Sequence, residues 1–219
     1  MKALNTYITE KLVLNKNTFK GPKYKYFPKD KYELADLVKK LIKERGDHTD
    51  LNDIDVSAIK DFYINRDGNG IFADSGAENI DISKWDVSNA EDLSGLFAFC
   101  KTLKSVDLSS WDISSCLYLK EMFACCDNLK ATGDLSRWNT GNVTVMDSMF
   151  QSCNVLTDIG DISGWDINSC ENFDFMFFAC YSLKNIGDLN KWNVFSDNVS
   201  KTKTFELTRY IKKPDWYED

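Results

Sequence analysis

Five tryptophans, Trp85, Trp111, Trp138, Trp165 and Trp192, follow one another at intervals of 26, 27, 27 and 27 residues. The first four are each trailed, at one fixed offset, by Leu96-Phe97, Met122-Phe123, Met149-Phe150 or Met176-Phe177. Then come Cys100, Cys126, Cys153 and Cys180, and three residues later Leu103, Leu129, Leu156 and Leu183. Self-similarity at such a period is the mark of stacked repeats, because a unit this small cannot bury its own apolar face. The chain is thereby confined to architectures in which each unit leans on the next.

Two halves are visible in a unit. Leu103-x-x-Val106-x-Leu108 has the inward positions of a short strand, whereas Val143-x-x-Met146-x-x-Met149-Phe150-x-x-Cys153 has the 3-and-4 spacing of a helix. This predicts an α/β fold, a leucine-rich-repeat-like solenoid of about five to six stacked strand–helix repeats with a small α+β N-terminal cap. Full units begin at Asp81, Asp107, Asp134 and Asp161, and another starts at Asp188 and fails after Trp192. Residues 50–80 read as a degenerate leading unit, since Asp55-Val56-Ser57 followed by Phe62 matches Asp86-Val87-Ser88 followed by Leu93. Gly133, Gly160 and Gly187 each add one residue before the Asp, consistent with a turn or bulge.

The ends differ from the middle. Residues 4–14 alternate as a strand would, and Lys16 to Lys29 is a basic, irregular connector. Asp30 and Glu33 form a capping-box start for a helix over 31–45, with Leu34, Leu37, Val38, Leu41 and Ile42 on one face and Gly46 as the stop. Phe205 to Ile211 reads as a short strand, and Pro214-Asp215-Trp216-Tyr217 as an aromatic tail over the last turn. The domain reading is a cap at 1–49, the repeats at 50–199 and a C-terminal cap or tail at 200–219.

Asp-Ile-Ser-Lys-Trp-Asp-Val-Ser (81–88) and Met-Asp-Ser-Met-Phe-Gln-Ser-Cys (146–153) resemble the BspA-like leucine-rich repeats, and more closely the repeat of mycoplasma surface lipoproteins found also in bacterial and phage proteins. The likeness covers about residues 50–195. The start, Ile8-Thr-Glu-Lys-Leu with Asn-Asp-Ile-Asp-Val-Ser at 52–57, resembles leader segments of such repeats in gut phages. The resemblance implies a cell-surface or virion adhesion protein. Met1 to Leu14 has no hydrophobic signal core and no lipobox cysteine, which favours a virion or cytoplasmic location over secretion.

Charge narrows the partners. Residues 1–80 hold 14 basic and 13 acidic residues, 81–187 hold 7 and 15, and 188–219 hold 6 of each. The acidity belongs to the repeats, which disfavours nucleic acid as their partner, because phosphate repels such a surface. No apolar run is long enough to cross a bilayer, so membrane insertion is not expected. The seven cysteines, four at one repeat position among Met, Phe and Leu, suit free thiols acting as small hydrophobes; disulfides between stacked neighbours are the alternative.

Chemistry-bearing motifs are sparse. Asn65-Arg66-Asp67-Gly68-Asn69-Gly70 has the first half of a calcium loop, but its twelfth position is Gly76, so a turn-rich insertion is expected. The Asp ladder at 81, 107, 134, 161 and 188 reads as side chains satisfying turn amides rather than holding a metal. The Phe19, Tyr24, Tyr26 and Phe27 aromatics among lysines read as a connector packed on the cap rather than a nucleic-acid platform. His48 is the single histidine, and no hydrolase, zincin or phosphate-loop motif occurs, so no enzyme and no cofactor is expected.

The expectation is therefore a non-enzymatic protein-binding or adhesion module, with a structural virion or assembly component as the alternative. Its partner is a protein or a cell-surface glycan, and self-association is open. Strand alternation turns the residues between the Leu positions outward. These candidate contacts are Lys104, Ser105 and Asp107; Lys130 and Asp134, with Ala131 between them; Thr157, Asp158 and Asp161; and Lys184, Asn185 and Asp188.

Overall fold

The computed structural model describes residues 24–64, 70–194 and 199–218 of the 219-residue chain. The strand expected over 4–14, most of the basic connector and the insertion at 65–69 lie outside the described residues.

Helix α1 spans Lys31–Arg45. Asp30 caps it, its Oδ1 accepting from the amides of Tyr32 and Glu33 at 2.9 Å each. Glu33 reaches back to the Lys29 amide rather than to Asp30, and Gly46 closes the helix in the left-handed region. Leu34, Val38, Leu41 and Ile42 bury the inner face. Arg45 then forks onto Asp53, Nη1 to Oδ1 and Nη2 to Oδ2 at 2.8 Å each, tying the cap to the first turn of the stack.

Strands β1 (His48–Asp50), β2 (Asn79–Asp81) and β3 (Ser105–Val106) form one parallel sheet in that order. Beyond β3 the same wall continues as single parallel bridges, Ser105↔Ala131, Ala131↔Asp158 and Asp158↔Asn185. Extended runs end early there because Gly133, Gly160 and Gly187 adopt φ of 80°, 85° and 81° two residues past the bridge. A second wall of parallel bridges joins Asp61, Asp92, Tyr118, Val145, Asn172 and Ser200.

These findings correct the predicted solenoid of strand–helix repeats. Among the described residues there is one α-helix and three short strands, and the rest is turn and loop apart from short 3-10 turns at Ile162–Gly164 and Leu189–Lys191. The segments with helical spacing are runs of overlapping turns. Glu121 and Cys125, Ser148 and Ser152, and Phe175 and Ala179 all sit at φ between 55° and 59°, which no helix tolerates. Their amides and the one between them point sideways: Glu121, Phe123 and Cys125 donate to the carbonyls of Asp147, Met149 and Gln151 in the next unit. The periodicity of the inward side chains is real, but the backbone bonds alternate: the amides of Met122, Ala124 and Cys126 close turns onto Leu119, Glu121 and Phe123, while those of Glu121, Phe123 and Cys125 cross to the next unit. The strand read over Phe205 to Ile211 is likewise a run of turns.

Two aromatic ladders and a thiol ladder fill the interior. Phe72, Phe97, Phe123, Phe150, Phe177 and Phe205 stack at centroid distances of 5.0 to 5.7 Å. Trp85 stacks on Trp111, and Trp138, Trp165, Trp192 and Trp216 form a run at 6.2 to 6.5 Å. Each indole Nε1 donates to a carbonyl of the preceding unit, Trp138 to Leu108 and Trp165 to Leu135 at 3.1 and 2.9 Å. Trp216, only 24 residues past Trp192, does the same to Leu189 at 2.8 Å, so the tail fills the site a further repeat's tryptophan would take. Cys126, Cys153 and Cys180 direct Sγ to the carbonyls of Phe97, Phe123 and Phe150 at 3.0 to 3.1 Å, and all seven cysteines are free.

Candidate binding surface

The sheet wall carries the residues singled out by strand alternation. Its bridges bring Asn79, Ser105, Ala131, Asp158 and Asn185 into one row. One residue earlier in each unit lies Glu78, Lys104, Lys130, Thr157 or Lys184, and on the far side lie Asp81, Asp107, Asp134, Asp161 and Asp188. Ser105 is half-buried, while Lys104, Asp107, Lys130, Asp134, Thr157, Asp158, Asp161, Lys184, Asn185 and Asp188 are exposed. Successive rows stand about 4.8 Å apart, the spacing of paired strands.

Several of these groups already have partners. Lys104 Nζ lies 2.6 Å from Glu78 Oε2 in the preceding unit, and Ser105 Oγ donates to Asn79 Oδ1 at 2.6 Å. Lys184 Nζ stands over the Tyr210 ring, 5.1 Å from its centroid. The Asp row is occupied by turn bonds: Asp107, Asp134 and Asp161 each accept with Oδ1 from the amide two residues on at 3.0 Å, and Asp188 does so at 3.1 Å. Such bonds favour the charged carboxylate. The Ser136 amide holds Asp134 below the usual range, and the Ser163 hydroxyl and amide do the same for Asp161. Among the described residues no group of three or more His, Cys, Asp or Glu is arranged to hold a metal ion. Asp81, Asp107, Ser105, Ala131 and Gly133 line a shallow open depression of about 500 Å³.

Catalytic constellations are not assembled around the residues considered for them. His48 opens β1 and faces Asn79 Nδ2 at 3.0 Å through Nδ1. Cys125, half-buried beside the buried Cys126, has its thiol pushed up by burial, the reverse of nucleophile activation. No helix among the described residues is long and apolar enough to cross a membrane.

Two features escaped the sequence reading. Tyr118 is 42% exposed on the second wall, in the row held elsewhere by Asp92, Val145 and Asn172. An aromatic at a row position that varies between units was the available signal. At the C-terminal end Tyr181 and Tyr210 are paired with Arg209 and Lys184, contacts between the last full unit and the tail that no spacing foretells.

No curated protein and no solved structure matches the chain. A family model described as "Mycoplasma protein of unknown function, DUF285" matches it twice, over residues 38–132 and 107–215. The two matches together span the Trp, Met-Phe and Cys units and both flanks, well over half of the chain, and the chain belongs to this family.

Proposed function

We propose that the chain is a non-enzymatic protein-binding or adhesion module that presents its sheet wall to a protein or cell-surface glycan. The observation that carries this reading is the contrast between buried and exposed rows. The Trp, Phe, Cys and Leu rows are nearly invariant from unit to unit, while two of the three outward rows run Glu-Lys-Lys-Thr-Lys and Asn-Ser-Ala-Asp-Asn; the third, Asp in every unit, is taken up by turn bonds. A fixed interior under variable outward positions is how stacked repeats present extended recognition surfaces. The likeness of 81–88 and 146–153 to BspA-like repeats supports the same reading and, with it, a surface or virion location. Reversal of Lys104, Lys130 and Lys184 to Glu tests it, since exposed charges contribute little to folding. Loss of binding to host-surface fractions by a variant with an unchanged melting curve is expected. Retained binding moves the site off this wall.

The second reading is a structural virion or assembly component docking to itself or to another structural protein. Its support is the repetition itself, which offers neighbouring copies a regular wall. Native mass of the purified chain separates the two: a closed or growing assembly favours the second, a monomer that captures host-surface material the first.

A further inference from the structure

Three hydrogen-bonded chains of peptide units run along the stack. In the first, the amides of Glu121, Ser148 and Phe175 donate to the carbonyls of Asp147, Asp174 and Thr202 at 2.7 to 2.9 Å. The second joins Phe123, Phe150 and Phe177 to Met149, Met176 and Thr204, and the third joins Cys125, Ser152 and Ala179 to Gln151, Phe178 and Glu206. Each accepting carbonyl belongs to the same peptide unit as the next donating amide, so the dipoles add head to tail as they do in an α-helix. The left-handed residues cause this by turning the amides to one edge of each turn and the carbonyls to the other.

The last turn of the series therefore ends in donors alone. Lys203 and Leu207 repeat the left-handed conformation at φ 54° and 64°, and their amides have no acceptor among the described residues. The tail covers the centre of that edge, with Tyr217 edge-on to Phe205 at 5.0 Å, but Lys203 and Leu207 on its flanks are exposed. Around them the acidity of the repeats gives way: residues 201–219 hold five basic residues against four acidic ones, whereas 81–187 hold 7 against 15. No ion pair among the described residues involves Lys201, Arg209 or Lys212. Leu207 is 49% and Tyr210 58% exposed, two of the largest apolar exposures among the described residues.

We propose that this end of the stack docks an acidic segment of a partner protein. Carboxylates or carbonyls of the segment accept from the Lys203 and Leu207 amides, its charge meets Lys201, Arg209 and Lys212, and an apolar side chain rests on Leu207 and Tyr210. An ordinary strand edge alternates donors and acceptors and matches a donor-only edge at half its positions, whereas carboxylate side chains match it throughout. A long polyanion such as nucleic acid meets the acidic repeats within a short distance and is repelled. The proposal rests on the binding-module reading but uses a surface apart from the sheet wall.

The test uses the full chain with labelled Glu-Gly and Lys-Gly repeat peptides. Fluorescence anisotropy is expected to show the Glu-Gly peptide bound at least about tenfold more tightly, and more weakly at high salt. The double variant Lys201→Glu, Arg209→Glu is expected to lose that preference while keeping its melting temperature, and Lys203 and Leu207 amide exchange is expected to be fast in the free chain and slowed by the peptide. Equal affinity for the two peptides, or full binding by the double variant, overturns the proposal. So does slow exchange of both amides in the free chain, with a doubled native mass identifying a second copy as the occupant. If the Glu-Gly peptide fails while reversal of Lys104, Lys130 and Lys184 abolishes capture of host-surface material, this inference falls and the module reading stands.

Discussion

Trp138 is buried on both faces, and its indole nitrogen satisfies the Leu108 carbonyl inside the stack. Truncation to alanine removes a large aromatic and one of the two donors to that carbonyl, which keeps the Trp111 amide at 3.1 Å, so a loss of about 3–5 kcal/mol is expected from urea unfolding, most of it from packing. An unchanged midpoint would mean that the ladder carries no stability. Gly160 illustrates the opposite constraint. Its φ is 85°, and a Cβ there would collide with Asp134 Oδ1 in the preceding unit. Gly160→Ala is expected to cost at least about 1 kcal/mol, of which Asp134→Ala in the same chain returns the steric part but not the backbone part. A double variant no better than the single would show that the close approach is not the cause. At this scale most of the chain was legible: the Trp, Phe, Cys and Leu rows are the residues that stack. Trp216 was not read as a member because it arrives three residues early.

At the scale of elements, α1 was legible because its capping, stripe and stop all agree locally. The turn runs were not, for a definite reason. Inward spacing of three and four residues is shared by a helix and by overlapping turns, and only the direction of the amides separates them. That direction depends on the neighbouring unit, which a single segment does not contain. Buried thiols, one in the thiol row and two outside it, show how tightly the interior closes. Burial pushes Cys180 and Cys116 up to about 12 and Cys170 to about 11. In the folded chain at mildly alkaline pH, a thiol reagent is expected to titrate one cysteine, Cys125, and all seven after denaturation. Two or more reactive thiols in the native state would show that the turns open. Because these folded values lie above an ordinary thiol's, the unfolded chain ionises first. Their contribution is complete below about pH 8.5 and is lost progressively as pH climbs toward the folded values. Cys116→Ser is expected to soften that alkaline decline in a pH series of melting curves.

For the molecule as a whole, the rows of the candidate wall could be read from strand alternation, whereas their state could not. Pairing of Lys104 with Glu78 depends on register across units, and the basic, donor-rich C-terminal end depends on where the tail folds. Each inter-unit hydrogen bond described above joins neighbouring units only, and this has a mechanical consequence. A chain held at its two ends and pulled along the stack axis loads one boundary at a time, and each boundary that gives way frees about 27 residues. At the reach of an extended backbone that is roughly 90 Å of new length per event. Single-molecule stretching is expected to record a saw-tooth of near-equal steps of about this size, and a single rupture of the whole chain would contradict it. A tether built this way lengthens under load in instalments, keeping an attachment at either end intact while the force between them is dissipated.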